Sequence, residues 1–203
     1  MSEIVNGYCE IADVLALLRD FDPGDAADQD VIADMITETS RDIDRETGRT
    51  FYARSETHYL DVPYGRYLWL DDDLLTLTSL TNGDGVAIPL TEILQFPANA
   101  TPKYKLTLKA YSDYTWQEST SQGREQALIA VGTWGYCVDT PADIRKACKE
   151  AVVSAYKRRF GNNITEGSTI TAAGSIVTPS GWPKSVWDTV RRYKRVMSTL
   201  EPQ

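Results

Sequence analysis

The sequence predicts an α+β protein, mainly helical. It reads as a small helical bundle core with an inserted antiparallel β section and a C-terminal amphipathic helix. Three observations carry this. Apolar residues recur at helical spacing over Val31–Thr47 and again over Ile144–Tyr156. Between Phe51 and Val131 the pattern changes to short β-prone runs broken by turn residues. After Pro183 the helical period returns.

Tyr8–Asp20 reads as a first helix, with Ile11, Val14, Leu15, Leu17 and Leu18 on one side. Phe21–Asp30, acidic and holding Pro23 and Gly24, is a connector. Val31–Thr47 buries Ile32, Met35, Ile36, Thr39 and Ile43, with Asp28 or Asp30 as cap and Gly48 as the left-handed residue that ends it. Arg41, Asp42, Asp44, Arg45 and Glu46 form its charged, solvated outer face.

In the β section, Thr57–Val62 and Tyr67–Leu70 flank a Pro63–Arg66 turn. Leu75–Leu80 runs into Asn82-Gly83-Asp84-Gly85, a strong turn signal, with Val86–Pro89 returning. Lys105–Tyr111 alternates as a half-buried strand, and Ala127–Val131 is the last strand. Ser112–Gly123 reads as an exposed polar loop with Trp116 near its tip. The chain then turns an aromatic corner at Trp134–Tyr136. Pro141 suits a first helical turn because its missing N–H would have no partner there, with Thr140 as cap and Asp143 favourable to the helix dipole. Ile144, Ala147, Cys148, Ala151, Val152, Ala155 and Tyr156 form the buried stripe, and the alanines permit close helix approach. Gly161–Gly181, rich in Gly, Ser and Thr, reads as a flexible loop or ribbon. In the last helix Val186, Val190, Tyr193, Met197 and Leu200 make a stripe flanked by Lys184, Arg191, Arg192, Lys194 and Arg195. The expected organisation is thus a core over 1–160 with its β insertion at about 54–133, the loop 161–181, and a helix and tail over 182–203.

The chain has 203 residues, 42% hydrophobic and 25% charged, enough for one globular domain. No apolar run approaches the ~18 residues of a membrane span, and the N-terminal residues lack the pattern of a signal peptide. Cys9, Cys137 and Cys148 are widely spaced and odd in number, which suggests free thiols in a reducing compartment. The net charge of −8 is unevenly divided: residues 1–140 hold 10 basic against 24 acidic residues, and residues 141–203 hold 11 against 5. Ordinary solvated helix faces would explain this, and so would head-to-tail contact between acidic and basic parts of successive subunits. The acidic total argues against a dedicated duplex-DNA binder.

No enzyme constellation emerges. His58 is the single histidine and has no nucleophile turn near it. No phosphate loop, dinucleotide fingerprint or zinc motif is present. Asp71-Asp72-Asp73 is the best candidate for a hard cation and hence for a metal-dependent hydrolase, but consecutive residues on a strand alternate sides, and a turn or an acidic surface is the favoured reading of the run. Cys148 belongs to a core stripe, and Cys9 and Cys137 lack activating neighbours. No catalytic residue, metal site or cofactor is expected.

The order of several short motifs resembles a known family. Tyr8-Cys9-Glu10-Ile11-Ala12-Asp13 opens a helix, and Ile36–Arg49 is a helix ending in Gly-Arg before Phe51-Tyr52. Leu68-Trp69-Leu70, Leu77-Thr78-Ser79-Leu80 and Asp84-Gly85 follow. Then come Val131-Gly132-Thr133-Trp134-Gly135-Tyr136 and Thr140–Ala147, leading into a helix with Tyr156 and Arg158-Arg159. Together, over residues 8–160, they resemble the head–tail connector (adaptor) proteins of tailed bacteriophages, the gp6-like group. The resemblance implies a non-enzymatic virion protein: a ring, usually of twelve subunits, that sits under the portal, extends the DNA channel and receives a stopper or tail protein. Packaged DNA would pass through without specific binding, and no membrane is involved. It implies residence in the virion neck after assembly in the host cytoplasm. Trp187, Arg191, Arg192 and Arg195 become portal-docking candidates. Arg145, Lys149 and Arg159 become subunit-contact candidates, and Asp71, Asp72 and Asp73 channel-lining candidates. Another neck component, such as a stopper or tail-completion protein, would share the same α+β layout.

Overall fold

The structure, a computed structural model, describes residues 3–18, 26–160, 169–170, 176–177 and 181–195. It divides into two compact units. Residues 3–48 and 140–195 form a helical unit, and residues 49–139 form a sheet unit. Among the described residues no helix is long and apolar enough to cross a membrane.

The helical unit contains α1 (Ile11–Leu15), α2 (Ala26–Thr47), α3 (Ala142–Phe160) and α4 (Lys184–Tyr193). The stripe expected on α2 is buried, including Ile32, Ile36 and Ile43. Gly48 ends the helix at φ +65°, and its N–H donates to the Asp44 carbonyl at 2.8 Å. On α3, Ile144, Ala147, Cys148, Ala151, Val152 and Tyr156 are buried. Pro183 precedes the first turn of α4, which buries Val186 and Val190. Of the helix predicted over 8–20, the described residues 8–18 form a shorter one: α1 has 5 residues, Val14 and Leu18 are buried, and Leu17 is exposed. Tyr8 instead anchors this segment. Its amide donates to Ser40 Oγ at 3.0 Å, and its hydroxyl donates to Asp44. Thr169–Ile170 and Ile176–Val177 pair as a two-stranded antiparallel ribbon, β7 and β8. Of the predicted 161–181 loop, residues 161–168, 171–175 and 178–180 lie outside the described residues, as do Met197 and Leu200.

The sheet unit overturns the expectation of a mainly helical protein. It holds a six-stranded antiparallel sheet ordered β1-β6-β2-β5-β4, with β3 on β2. The strands are β1 (Arg54–Leu60), β2 (Tyr67–Thr81), β3 (Ala87–Ile88), β4 (Ile93–Phe96), β5 (Lys103–Leu108) and β6 (Leu128–Trp134). Among the described residues 35% are helical and 26% strand. The main reason is β2. It runs for 15 residues through Asp71–Asp73, where the acidic run suggests a break. Its first part pairs with β5 and its later part with β6, with register shifts between. Shifts of this kind bend a strand and swing its side chains. Leu68, Leu70, Leu74, Leu77 and Leu80 thus feed one core with Leu106, Leu128, Ala130 and Trp134. β1 pairs with β6, so the two runs that flank Pro63–Arg66 are not paired with each other.

The 112–123 loop is fastened rather than free. Tyr114 and Trp116 pack on the sheet core, and Trp116 Nε1 donates to the Arg66 carbonyl at 3.2 Å. Asn82, 4% exposed, donates through Nδ2 to the Thr115 carbonyl and accepts from the Gln117 amide, at 2.8 and 2.9 Å. An asparagine inside a turn signal therefore holds a remote loop as well.

Candidate functional site

Alternation along β1 places Arg54, Glu56 and His58 on one side. The acidic run of β2 meets the bases near them one by one. Asp73 Oδ1 and Oδ2 lie 2.8 and 2.6 Å from Arg49 Nη1, with the Asp73 side chain 2% exposed. Asp72 pairs with Arg54 at 2.5 Å. Asp71, its side chain 64% exposed, lies 3.4 Å from His58 Nδ1, and Glu56 lies 3.3 Å from Nε2. The three carboxylates go to three different bases. Among the described residues no group of three or more His, Cys, Asp or Glu side chains converges on a metal position. Of the channel-lining candidates, Asp71 is the one exposed to solvent, Asp72 is half-buried and Asp73 is enclosed.

Aromatic rings brace these charges. His58 stacks on the fully buried Trp134 with centroids 3.8 Å apart and planes at 10°. Trp134 Nε1 donates to the Glu56 carbonyl at 3.2 Å. Arg49 lies 5.1 Å from the Tyr136 ring centroid, and Phe51 packs on the same ring at 5.4 Å. The chain leaves β6 through Gly135, at φ +134°, where a Cβ would run into the Tyr52 carbonyl oxygen. Gly135 N–H donates to the Asp73 carbonyl and Tyr136 N–H to the Thr50 carbonyl, both at 2.7 Å. The corner is therefore a hydrogen-bonded clasp in which Arg49 faces Asp73 and Arg54 faces Asp72. Beside it, burial first, then Asp139 and Asp73, push the Cys137 thiol up to about 11.

This architecture has counterparts among solved structures. It is shared with chains of gene transfer agent particles. A chain from the neck of an empty gene transfer agent (GTA) particle, computed with C6 symmetry, matches with a TM-score of 0.62 at 15% identity, over 98% of this chain and 96% of that one. A chain from the virion of a native gene transfer agent particle matches at a TM-score of 0.59 and 16% identity, with the same coverage. At such identities the likeness is one of fold. No protein-family model matches the sequence. No curated protein matches it either.

The remaining candidate residues lie on the helical unit. Arg145 and Arg159 are exposed on α3 and Lys149 is half-buried. On α4, Arg191 and Arg192 are exposed, while Trp187 and Arg195 are half-buried. Trp187 packs on Trp182 at 5.1 Å, with Arg191 5.9 Å from the Trp187 ring. Arg192 folds back on its own helix, donating to the Asp188 carbonyl and Thr189 Oγ1 at 3.1 and 3.2 Å. Arg195 N–H donates to the Thr47 carbonyl at 2.7 Å. Tyr193 Oη donates to the Asp143 carboxylate at 2.8 Å, tying the end of α4 to the first turn of α3.

Two surfaces escaped the sequence reading. On α2, Asp34 and Glu38 are exposed one turn apart, and the acidic i,i+4 spacing of Asp30, Asp34, Glu38 and Asp42 was the signal available. On the sheet, Lys105 Nζ sits 4.5 Å from the Tyr67 and Phe96 rings and 5.2 Å from Trp69. That cluster depends on β2, β5 and β4 being neighbours, which no local pattern reports.

Proposed function

We propose that this chain is a structural neck component of a tailed, phage-like particle. In the finer form of the proposal it is a ring-forming head–tail adaptor that sits under the portal, extends the DNA channel and joins the head to a stopper or tail protein. The observation that carries it is the likeness, along nearly the whole of both chains, to a neck chain. The virion neck is then its place of work, reached from the host cytoplasm during assembly, and its role is assembly rather than catalysis.

The charge layout supports a head-to-tail ring. Asp34 and Glu38 on α2 offer an acidic surface, and Arg145, Lys149 and Arg159 on α3 a basic one. A contact in which unlike patches meet is heterologous and closes into a ring when its rotation permits, as in the twelve-subunit ring expected here. Trp187, Arg191, Arg192 and Arg195 form the portal-docking surface, where an aromatic anchor beside arginines suits a protein interface. Asp71 contributes negative charge toward the channel, and Asp72 and Asp73 hold the wall behind it, so that DNA slides without adhering.

The test mixes the full chain with its portal protein and measures mass by light scattering over a salt series. A ring on the portal that weakens with added salt is expected. Lys149→Glu should keep the melting temperature and weaken assembly, and adding Glu38→Lys should restore part of it. A chain that joins neither a ring nor a portal complex at any salt concentration refutes the assignment.

A further inference from the structure

Two of the three cysteines meet inside the helical unit. Cys9, just before α1, and Cys148, on α3, place their sulfurs 3.4 Å apart although 139 positions separate them in sequence. Both are buried, at 4% and 0% exposure. Ser40 Oγ on α2 lies 3.6 Å from Cys148 Sγ, and its hydroxyl donates to the Ile36 carbonyl at 2.7 Å. Three segments thus converge on one sulfur pair, while Cys137 belongs to the sheet unit. Among the described residues all three thiols are free.

We propose that Cys9 and Cys148 are a closable disulfide site, a redox staple that fastens the N-terminal segment to α3. An S–S bond needs the sulfurs to close to about 2.05 Å, a small movement from their present separation. The fold has already brought the two ends of a long loop together, so the reaction is effectively intramolecular. With glutathione disulfide as oxidant, the Cys9 thiolate attacks one sulfur of the oxidant and releases one reduced glutathione. The Cys148 thiolate then attacks Cys9 Sγ and displaces the second. Two protein thiols are oxidised, one glutathione disulfide is reduced to two glutathiones, and the two thiol protons pass to them. Burial makes the first step slow and dependent on opening of the N-terminal segment, because the thiolate is the nucleophile. Cys9 adjoins the shorter element, α1 having 5 residues against 19 in α3, and opening there requires release of the Tyr8 bonds to Ser40 and Asp44. The hydrogen bond to Cys148, with burial second, holds the Cys9 thiol above its usual range, so the open state also supplies the thiolate.

The staple is independent of the assembly role. In a reducing compartment the pair stays as thiols; in an oxidising one it closes. The long loop it spans makes the stabilisation large, on the order of a thousandfold in the folded-to-unfolded ratio.

The reduced full chain is equilibrated in glutathione buffers of graded poise, quenched by alkylation, digested without reductant and mapped by mass spectrometry. A Cys9–Cys148 linked peptide should accumulate, with Cys137 still alkylated as a free thiol. The oxidised chain should show a higher urea midpoint, and Cys9→Ser and Cys148→Ser should each abolish that gain while unfolding like the reduced wild type. The wild-type map decides the matter even if either variant fails to fold. No linked peptide at a poise that fully oxidises dithiothreitol, pairing through Cys137, or an oxidised chain less stable than the reduced one overturns the proposal.

Discussion

Arg49→Met tests the clasp directly. Asp73 is 2% exposed at its side chain, and the cation facing it is Arg49, itself 21% exposed. The substitution keeps most of the side-chain volume but removes the charge and both contacts, at 2.8 and 2.6 Å. Breaking a buried pair from one side costs about 3–5 kcal/mol, because a carboxylate is stranded without compensation. The partial exposure of Arg49 lets water reach that side and favours the lower figure, about 3 kcal/mol. For a unit of this size that corresponds to a fall of roughly 12–24 °C in melting temperature. Urea denaturation gives the free energy, and hydrogen exchange of β2 and β6 peptides locates it in the sheet unit. Removing both charges with Arg49→Met and Asp73→Leu should recover much of the loss, since no charge is then stranded. A cost below about 1 kcal/mol for the single substitution, as for a surface pair, would show that the clasp is not desolvated. A double variant as unstable as the sum of the two singles would show that the residues are not coupled.

Two further outcomes follow from the same corner. Gly135→Ala should destabilise the chain by about 2 kcal/mol or more, because both its φ and the Tyr52 carbonyl exclude a Cβ; equilibrium denaturation measures it. The Cys137 thiol, raised to about 11, should stay protonated in the folded chain after the unfolded chain has lost its proton. Its share of stability is then present below the unfolded thiol value and is lost as pH rises through about 11, and iodoacetamide labelling of the native chain should accelerate only toward that pH.

The helices were legible where their signals are local. The apolar spacing on α2 and α3, Gly48 as terminator and Pro183 at the start of α4 each depend on residues within a few positions. The sheet was less legible because strand order is decided by distant partners. Asp71–Asp73 reads as an interruption until Arg49 and Arg54 are found facing Asp73 and Asp72, and β4 is a run of 4 residues with no period to detect. Trp116 in a polar loop gives no sign that the Arg66 carbonyl and the sheet core await it. For the candidate site, the residue types on α3 and α4 could be named from sequence, and their exposure could not. The α1 segment failed for the opposite reason: its leucines suggest a helix, but Tyr8 spends its hydrogen bonds on α2 and fixes the segment by side-chain anchoring.

The hydrogen bond from Tyr136 to Thr50 has a consequence beyond the corner it closes. It joins the points where the chain enters and leaves the sheet unit, and the helical unit resumes at Thr140. A segment whose two ends are fastened to each other behaves as a cassette. It can lengthen, shrink or be exchanged during descent without asking the flanking helices to reposition, because its boundary stays a fixed pair of neighbouring strands of backbone. Divergence can therefore run at different speeds in the two parts of one gene.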